Sequence, residues 1–306
     1  KRKETFVDLM HHPVHANYYA DQAVQRTSRV LENTRIARDT IRLRFECPEM
    51  AAQILPGQFL MIRLPGCNDP LIGRPLALYD TSLDQQGNPS AIDVVYLVKG
   101  KLTSQLQHLV PGQSVDVWGP LGNGFVPQES EHLIMVAGGI GQTPFVALGQ
   151  EALGKKRYGN PARNAIVTQR VSLCYGARSA EFLAGVEDFE SHGIETHLCT
   201  DDGTRGHHGL VTECLESLLT ESSTTSGEEA NNRRIVCCGP EPMMEAVSEI
   251  ARKYQVPCQV SLETPMACGL GICFTCVAKI CDESGNWDYQ RTCVEGPVFD
   301  ADRIVW

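Results

Sequence analysis

Apolar and polar residues alternate over short stretches in the first third of the chain and give way to longer apolar runs in the middle. Thr40–Glu46 (TIRLRFE) alternates with a period of two, as a strand with one buried face requires. Gln58–Leu64 follows the turn pair Pro56-Gly57, Ile92–Val98 comes next, and Ser114–Trp118 follows a second Pro-Gly at Pro111-Gly112. Short strands broken by such turns predict an antiparallel β-barrel domain over residues 24–127. From His132 the pattern changes. An apolar strand (LIMVA) runs into glycines and then a helical stretch (FVALGQEAL), and further strands are expected at Val171–Tyr175, Thr196–Thr200 and Arg234–Cys238. Strands alternating with helices predict an α/β, doubly wound parallel sheet over residues 128–257. Two polar insertions, Gly154–Asn164 and Leu219–Arg233, have the composition of mobile surface loops. Residues 258–306 carry too few apolar side chains to fold unaided, so they predict a small segment stapled by a metal centre. Residues 1–23 are left as an N-terminal extension.

Length and charge narrow the function classes. The 306 residues exceed one ordinary core and suit two domains with a small appendage. A formal net charge of −10 argues against a nucleic-acid partner or an anionic membrane, both of which call for a basic face. No apolar run reaches the roughly 18 residues of a bilayer span, and residues 1–19 lack the apolar stretch of a secretory leader, so the expectation is a cytoplasmic protein. Thirteen cysteines do not read as a secreted disulfide framework in a chain of this length. Cys47, Cys67, Cys174, Cys199 and Cys214 are expected to be free thiols.

The remaining chemistry is clustered. Cys268-GLGI-Cys273-FT-Cys276 is followed, after sixteen residues, by Cys293. CxxxxCxxC with a later fourth cysteine is the plant-type spacing of a 2Fe-2S cluster, and glycines such as Gly269 and Gly271 let the backbone wrap closely with N–H groups turned to the sulfurs. A structural zinc site takes the same four thiolates, although its usual spacing is two close pairs. Cys281 competes with Cys293 for the fourth position. Upstream, Arg74-Pro75-Leu76-Ala77 places an arginine where it could neutralise a diphosphate beside a flat ring. Gly100-Lys101-Leu102-Thr103-Ser104 opens a helix-like segment whose N–H groups and hydroxyls suit an anion. Gly138-Gly139-Ile140-Gly141-Gln142-Thr143-Pro144 joins a strand to a helix, the geometry that admits a pyrophosphate. Cys238-Gly239-Pro240 and Asp201-Asp202-Gly203 end strands at the sheet edge where ligands of such folds collect. His11, His12, His15, His207 and His208 lack partners at ligand spacing and read as solvated. Arg178 and Ser179 are placed to meet a 2′-phosphate, which leaves NAD against NADP open.

An R-P-x-x motif, a G-x-x-T partner, a GGxGxTP turn, a CGP motif and the cysteine cluster, in this order, resemble the ferredoxin–NADP reductase superfamily. Within it the tail (SLETPMACGLGICFTC … CVEGPVFDADRIVW) is similar to the electron-transfer subunits of class 1B dihydroorotate dehydrogenases, over roughly residues 24–306. The resemblance implies FAD against Arg74, Pro75, Leu76, Ala77, Val95, Tyr96 and Leu97, with its diphosphate at Leu102 and Thr103. It implies NAD against Gly138, Gly139, Gly141, Thr143, Cys238, Gly239 and Pro240, and the cluster on Cys268, Cys273, Cys276 and Cys293. It implies a catalytic FMN-containing dihydroorotate dehydrogenase partner in pyrimidine biosynthesis, usually in a heterotetramer, from which electrons pass through the cluster to FAD and on to NAD⁺. No residue of this chain is expected to act as acid or base on the organic substrate. Two departures stand out: Ala77 where a hydroxyl residue is common, and Leu102 where a glycine usually precedes the threonine. The alternatives are an NAD(P)H reductase subunit serving ferredoxin, sulfur compounds or a hydrogenase, a zinc-stapled flavoprotein, and a non-catalytic scaffold subunit.

Overall fold

A computed structural model describes residues 22–164, 166–221 and 232–306. The first domain is a closed antiparallel barrel of β1 (Val24–Ala37), β2 (Thr40–Glu46), β3 (Phe59–Arg63), β4 (Arg74–Leu83), β5 (Pro89–Leu97) and β6 (Ser114–Leu121), in the order β1-β2-β5-β4-β3-β6. Its interior is filled by the apolar half of each alternation: Leu43, Phe45, Ile62, Val94 and Val117 are fully buried. Two short helices cover it, α1 (Pro48–Gln53) and α2 (Lys101–Leu106). Two strands were not expected. β1 is polar along most of its length because it serves two neighbours, β6 through residues 24–29 and β2 beyond a register shift at Val30. β4 begins on Arg74-Pro75, so the motif lies on a strand rather than in a loop. Proline is tolerated there because it stands at the strand's start.

The second domain is a seven-stranded sheet in the order β10-β9-β8-β7-β11-β12-β15. It contains β7 (His132–Gly138), β8 (Arg170–Ala177), β9 (Glu195–Thr200), β10 (His207–His208), β11 (Arg233–Cys238), β12 (Cys258–Ser261) and β15 (Val298–Asp300). All neighbours are parallel except β12 and β15. Helices α3 (Phe145–Ala152), α4 (Val186–Ser191), α5 (Val211–Glu221) and α6 (Glu241–Lys253) flank the sheet. α6 has Glu241 in its first turn and Arg252 and Lys253 in its last, the arrangement its dipole favours. Every residue of α3 is buried, because the helix lies in the core that the sheet shares with barrel residues Tyr79 and Val95. Among the described residues no helix is long and apolar enough to cross a membrane.

Three expectations change. The tail is not a free appendage: β12 and β15 are strands of the main sheet, and the cysteine loop with its small ribbon, β13 (Val277–Cys281) and β14 (Trp287–Arg291), is an excursion between them. The insertion 154–164 is docked rather than loose. Tyr158 is 3% exposed and donates to Asp80 of β4 (2.8 Å), Lys156 pairs with the same carboxylate, and Arg163 pairs with Glu151 and donates to the Phe125 carbonyl (2.7 Å). The second insertion falls largely outside the described residues; its ends extend α5 and begin β11. Cys47, Cys67 and Cys174 are free, but Cys199 of β9 and Cys214 of α5 form a disulfide that their separation in sequence did not suggest.

Candidate functional site

A cavity of about 760 Å³ opens between barrel, sheet and cysteine loop, within the size range of cofactor sites. β4 and β5 supply one wall. Arg74, Pro75, Leu76, Ala77, Val95, Tyr96 and Leu97 all line it, so the structure gathers every residue expected along the flat ring. Sheet pairing of β4 with β3 and β5 holds this wall at backbone level. The Arg74 guanidinium folds back onto the carbonyls of Ile72 (3.2 Å) and Gly73 (3.1 Å), at the rim. Leu102 and Thr103 line the same space, but differently from expectation. The Leu102 side chain is 1% exposed and packed in the barrel core, which leaves its backbone to meet a ligand. The Thr103 hydroxyl accepts from the N–H groups of Lys99 and Gly100 (both 3.0 Å) and so caps its own helix start. Lys99 supplies a cation to the lining.

At the sheet end, Thr143 and Cys238 reach the cavity, whereas Gly138, Gly139, Gly141, Gly239 and Pro240 form the turn behind them. The two motifs interlock. A Cβ on Gly141 would lie 2.2 Å from the Cys238 carbonyl oxygen, and one on Gly138 would lie 2.8 Å from Pro240. Gly139 is needed for another reason: its φ is +56°, and nothing stands within 4 Å of the missing Cβ. Arg178 directly follows β8, and Asp201 and Asp202 directly follow the neighbouring β9, where the Asp202 N–H donates to the Arg178 carbonyl (3.2 Å). The Asp202 carboxylate accepts from the Thr204 hydroxyl (2.6 Å) and N–H (3.0 Å), which makes it a turn residue and holds it below the usual carboxylate range. His207 and His208 are exposed, as expected, yet His207 meets the Glu213 carboxylate at 2.6 Å. His11, His12 and His15 lie outside the described residues.

The third wall was missed in the sequence. Ser261 to Ala267 runs along the cavity directly into Cys268, and Thr275 lines it from the far side of the loop. Glu263 looks into the cavity with its carboxyl raised above the usual range by the surrounding protein, while Lys99 opposes the shift. The strap was legible only as the run of residues leading into the first cysteine, and no periodicity marks it.

The cysteines arrive in two pairs. Cys276 and Cys293 lie with sulfurs 3.1 Å apart, both buried against Phe59, Met61 and Leu121 of the barrel. Their shared hydrogen bond pulls Cys276 down to about 6 and pushes Cys293 up. Cys273 is exposed, and the Thr275 hydroxyl, then its N–H, lowers it to about 6, with Cys268 also contributing hydrogen bonds. Gly269 (φ +73°) and Gly271 (φ +77°) turn the loop, and the Leu270 N–H donates to the Cys268 sulfur at 3.3 Å. Two pairs of thiols around N–H donors fit a two-iron cluster better than one tetrahedral ion. Cys281 ends β13 opposite Trp287, five extended residues or about 16 Å from Cys276. It is too distant to replace Cys293.

Family models match three stretches: "Oxidoreductase FAD-binding domain" over residues 27–125, "Oxidoreductase NAD-binding domain" over 135–249, and "Iron-sulfur cluster binding domain of dihydroorotate dehydrogenase B" over 263–305. A relative from Caldanaerobacter subterraneus subsp. tengcongensis is 33% identical over 91% of this chain and 98% of its own length, and is named dihydroorotate dehydrogenase B (NAD(+)), electron transfer subunit. One of the same name from Geobacillus kaustophilus is 35% identical over 82% of this chain and 86% of its own. This chain belongs to the family of dihydroorotate dehydrogenase B electron transfer subunits. A solved structure described as an NADH-dependent reduced ferredoxin–NADP oxidoreductase, studied for flavin-based electron bifurcation, superposes with a TM-score of 0.71 at 25% identity, covering 92% of this chain and 90% of that one.

Membership explains the three walls. Each matched model supplies one: the FAD-binding domain the β4–β5 wall, the NAD-binding domain Thr143 and Cys238, and the iron–sulfur domain the strap from Glu263. The zinc alternative drops out, because the model that fits the cysteine loop is an iron–sulfur one.

Proposed function

We propose that this chain is the subunit that carries electrons between a catalytic FMN-containing dihydroorotate dehydrogenase subunit and NAD, in pyrimidine biosynthesis, within a cytoplasmic heterotetramer. The observation that carries the reading is the single cavity whose walls come from the flavin, nicotinamide and cysteine-loop motifs together. Bound FAD supplies the conversion between hydride and single-electron transfer, and the cluster, on our reading 2Fe-2S, supplies the single-electron step. Arg74 and the start of α2 neutralise and position the diphosphate. The Val95–Leu97 strand and Pro75–Ala77 flank the ring, and Thr264 and Thr275 line the same cavity from the strap side. Thr143, Cys238 and the Gly138–Gly141 turn hold the nicotinamide nucleotide. Gly239 keeps the two motifs close, since a Cβ there would lie 3.0 Å from the Gly138 nitrogen. Cys268, Cys273, Cys276 and Cys293 hold the iron. Beside Cys273, Ile272 (76% exposed) and Phe274 (62% exposed) form an apolar rim suited to a subunit contact.

The test uses the purified chain with its cofactors. NADH should bleach both flavin and iron–sulfur absorption, and the chain should co-purify with an FMN-containing dihydroorotate dehydrogenase. An unchanged spectrum sinks the reading. The second reading, an NAD(P)H reductase subunit serving ferredoxin, draws on the 92% coverage by the bifurcating oxidoreductase structure. Recovery with a ferredoxin-linked partner in place of the dehydrogenase would favour it.

A further inference from the structure

We infer that Thr275 sets the reduction potential of the cluster from the flavin side, through a hydroxyl that donates to the Cys273 sulfur while the residue lines the cofactor cavity. The inference rests on the reading that the four cysteines hold the cluster and the cavity holds FAD. Thr275 Oγ1 lies 3.2 Å from Cys273 Sγ. The same residue contributes to the 760 Å³ cavity wall, so one side chain touches both the flavin space and a cluster ligand. The left-handed Phe274 (φ +54°) directs the chain back between the two cysteines and brings the hydroxyl onto the sulfur.

The physical argument concerns charge. Reduction adds an electron that is spread over the iron and its thiolate sulfurs, so a donor on a sulfur stabilises the reduced form more than the oxidised one and raises the potential. The backbone donors to this pair, the Leu270 N–H on Cys268 and the Thr275 N–H on Cys273, cannot be removed by changing a side chain. The Thr275 hydroxyl can be, because valine has nearly the same shape without it. Cys273 is also the exposed ligand of the chain, where solvent would otherwise act on the charge. Thr275 is therefore a positioning and tuning residue rather than a catalytic one. Its effect belongs to the cluster and leaves the Arg74–Ala77 and Val95–Leu97 contacts of the flavin untouched.

The experiment compares the reconstituted wild-type chain with T275V and T275S. Iron and sulfide content is measured first; a wild type without a cluster would overturn the functional reading itself. With the cluster present, a redox titration followed by electron paramagnetic resonance reads its midpoint. T275V should lower it by about tenfold in electron partition, which for a one-electron couple is ~59 mV. T275S, which keeps the hydroxyl, should stay near wild type. A T275V midpoint equal to that of wild type, or an equal shift in T275S, overturns the inference alone. Where valine hinders cluster assembly, T275A carries the same expectation. Loss of the cluster in both valine and alanine variants, with serine retaining it, would make Thr275 a structural support and overturn the tuning role.

Discussion

The two long walls of the cavity are built in opposite ways. The barrel wall, β4 and β5, is hydrogen-bonded backbone on a filled apolar core, so its shape is set before any cofactor arrives. The strap wall, from Leu262 just past the end of β12 to Ala267 with Thr275, has no ladder of its own. It is pinned at a few points: the Leu262 N–H on the Pro297 carbonyl (2.9 Å), Thr264 against the Thr292 hydroxyl (2.5 Å), and the Trp118 indole on the Cys268 carbonyl (2.9 Å). A wall of strands tolerates loss of its ligand, whereas a wall of loops depends on the group it surrounds. The flavin side should therefore be stable alone, and the cluster side should stand or fall with its iron.

The largest expected effect separates the walls outright. Cys293→Ser should abolish the cluster, seen as lost iron and sulfide, while NADH still reduces bound flavin; Cys281→Ser should leave the cluster intact. Equal cluster loss in Cys281→Ser would undo the ligand assignment. A smaller effect tests the barrel wall. Gly57 has φ +88°, and an added Cβ would lie 2.8 Å from the Phe125 nitrogen. Gly57→Ala should cost about 2–3 kcal/mol of stability, read in denaturant unfolding followed by flavin release. The smallest effect lies at the joint between the walls. Trp118→Phe removes one hydrogen bond to the cysteine loop, about 1 kcal/mol, and should speed chelator removal of iron about fivefold with barrel stability little changed. Unchanged iron release would show that the loop is held elsewhere.

The legible parts of this protein share one property: their chemistry is local. The cysteine spacing, Arg74–Ala77 and the Gly138–Thr143 turn each declare themselves within a few residues, because a metal loop, a diphosphate contact and a strand–helix turn are short-range geometries. The barrel-then-sheet order was equally readable from the change in periodicity. β1 was not, because a strand that switches partners and faces solvent for much of its length has no single apolar face. The docking of Tyr158 on Asp80 was not, because a polar segment looks mobile until its partner 78 residues away is known.

The amino-acid sequence by itself determined the order of barrel and sheet, many of their strands, and the short motifs proposed to hold flavin, nucleotide and iron, since these follow from side-chain chemistry and short-range backbone preference. Only the tertiary structure decided that the cysteine loop is an excursion between two strands of the main sheet, that Cys276 lies against Cys293, and that Glu263, Thr264 and Thr275 line the cavity between barrel, sheet and cysteine loop. Those are contacts between segments far apart in the chain. They arise from how barrel and sheet share one core, a matter of packed volume that no local pattern encodes.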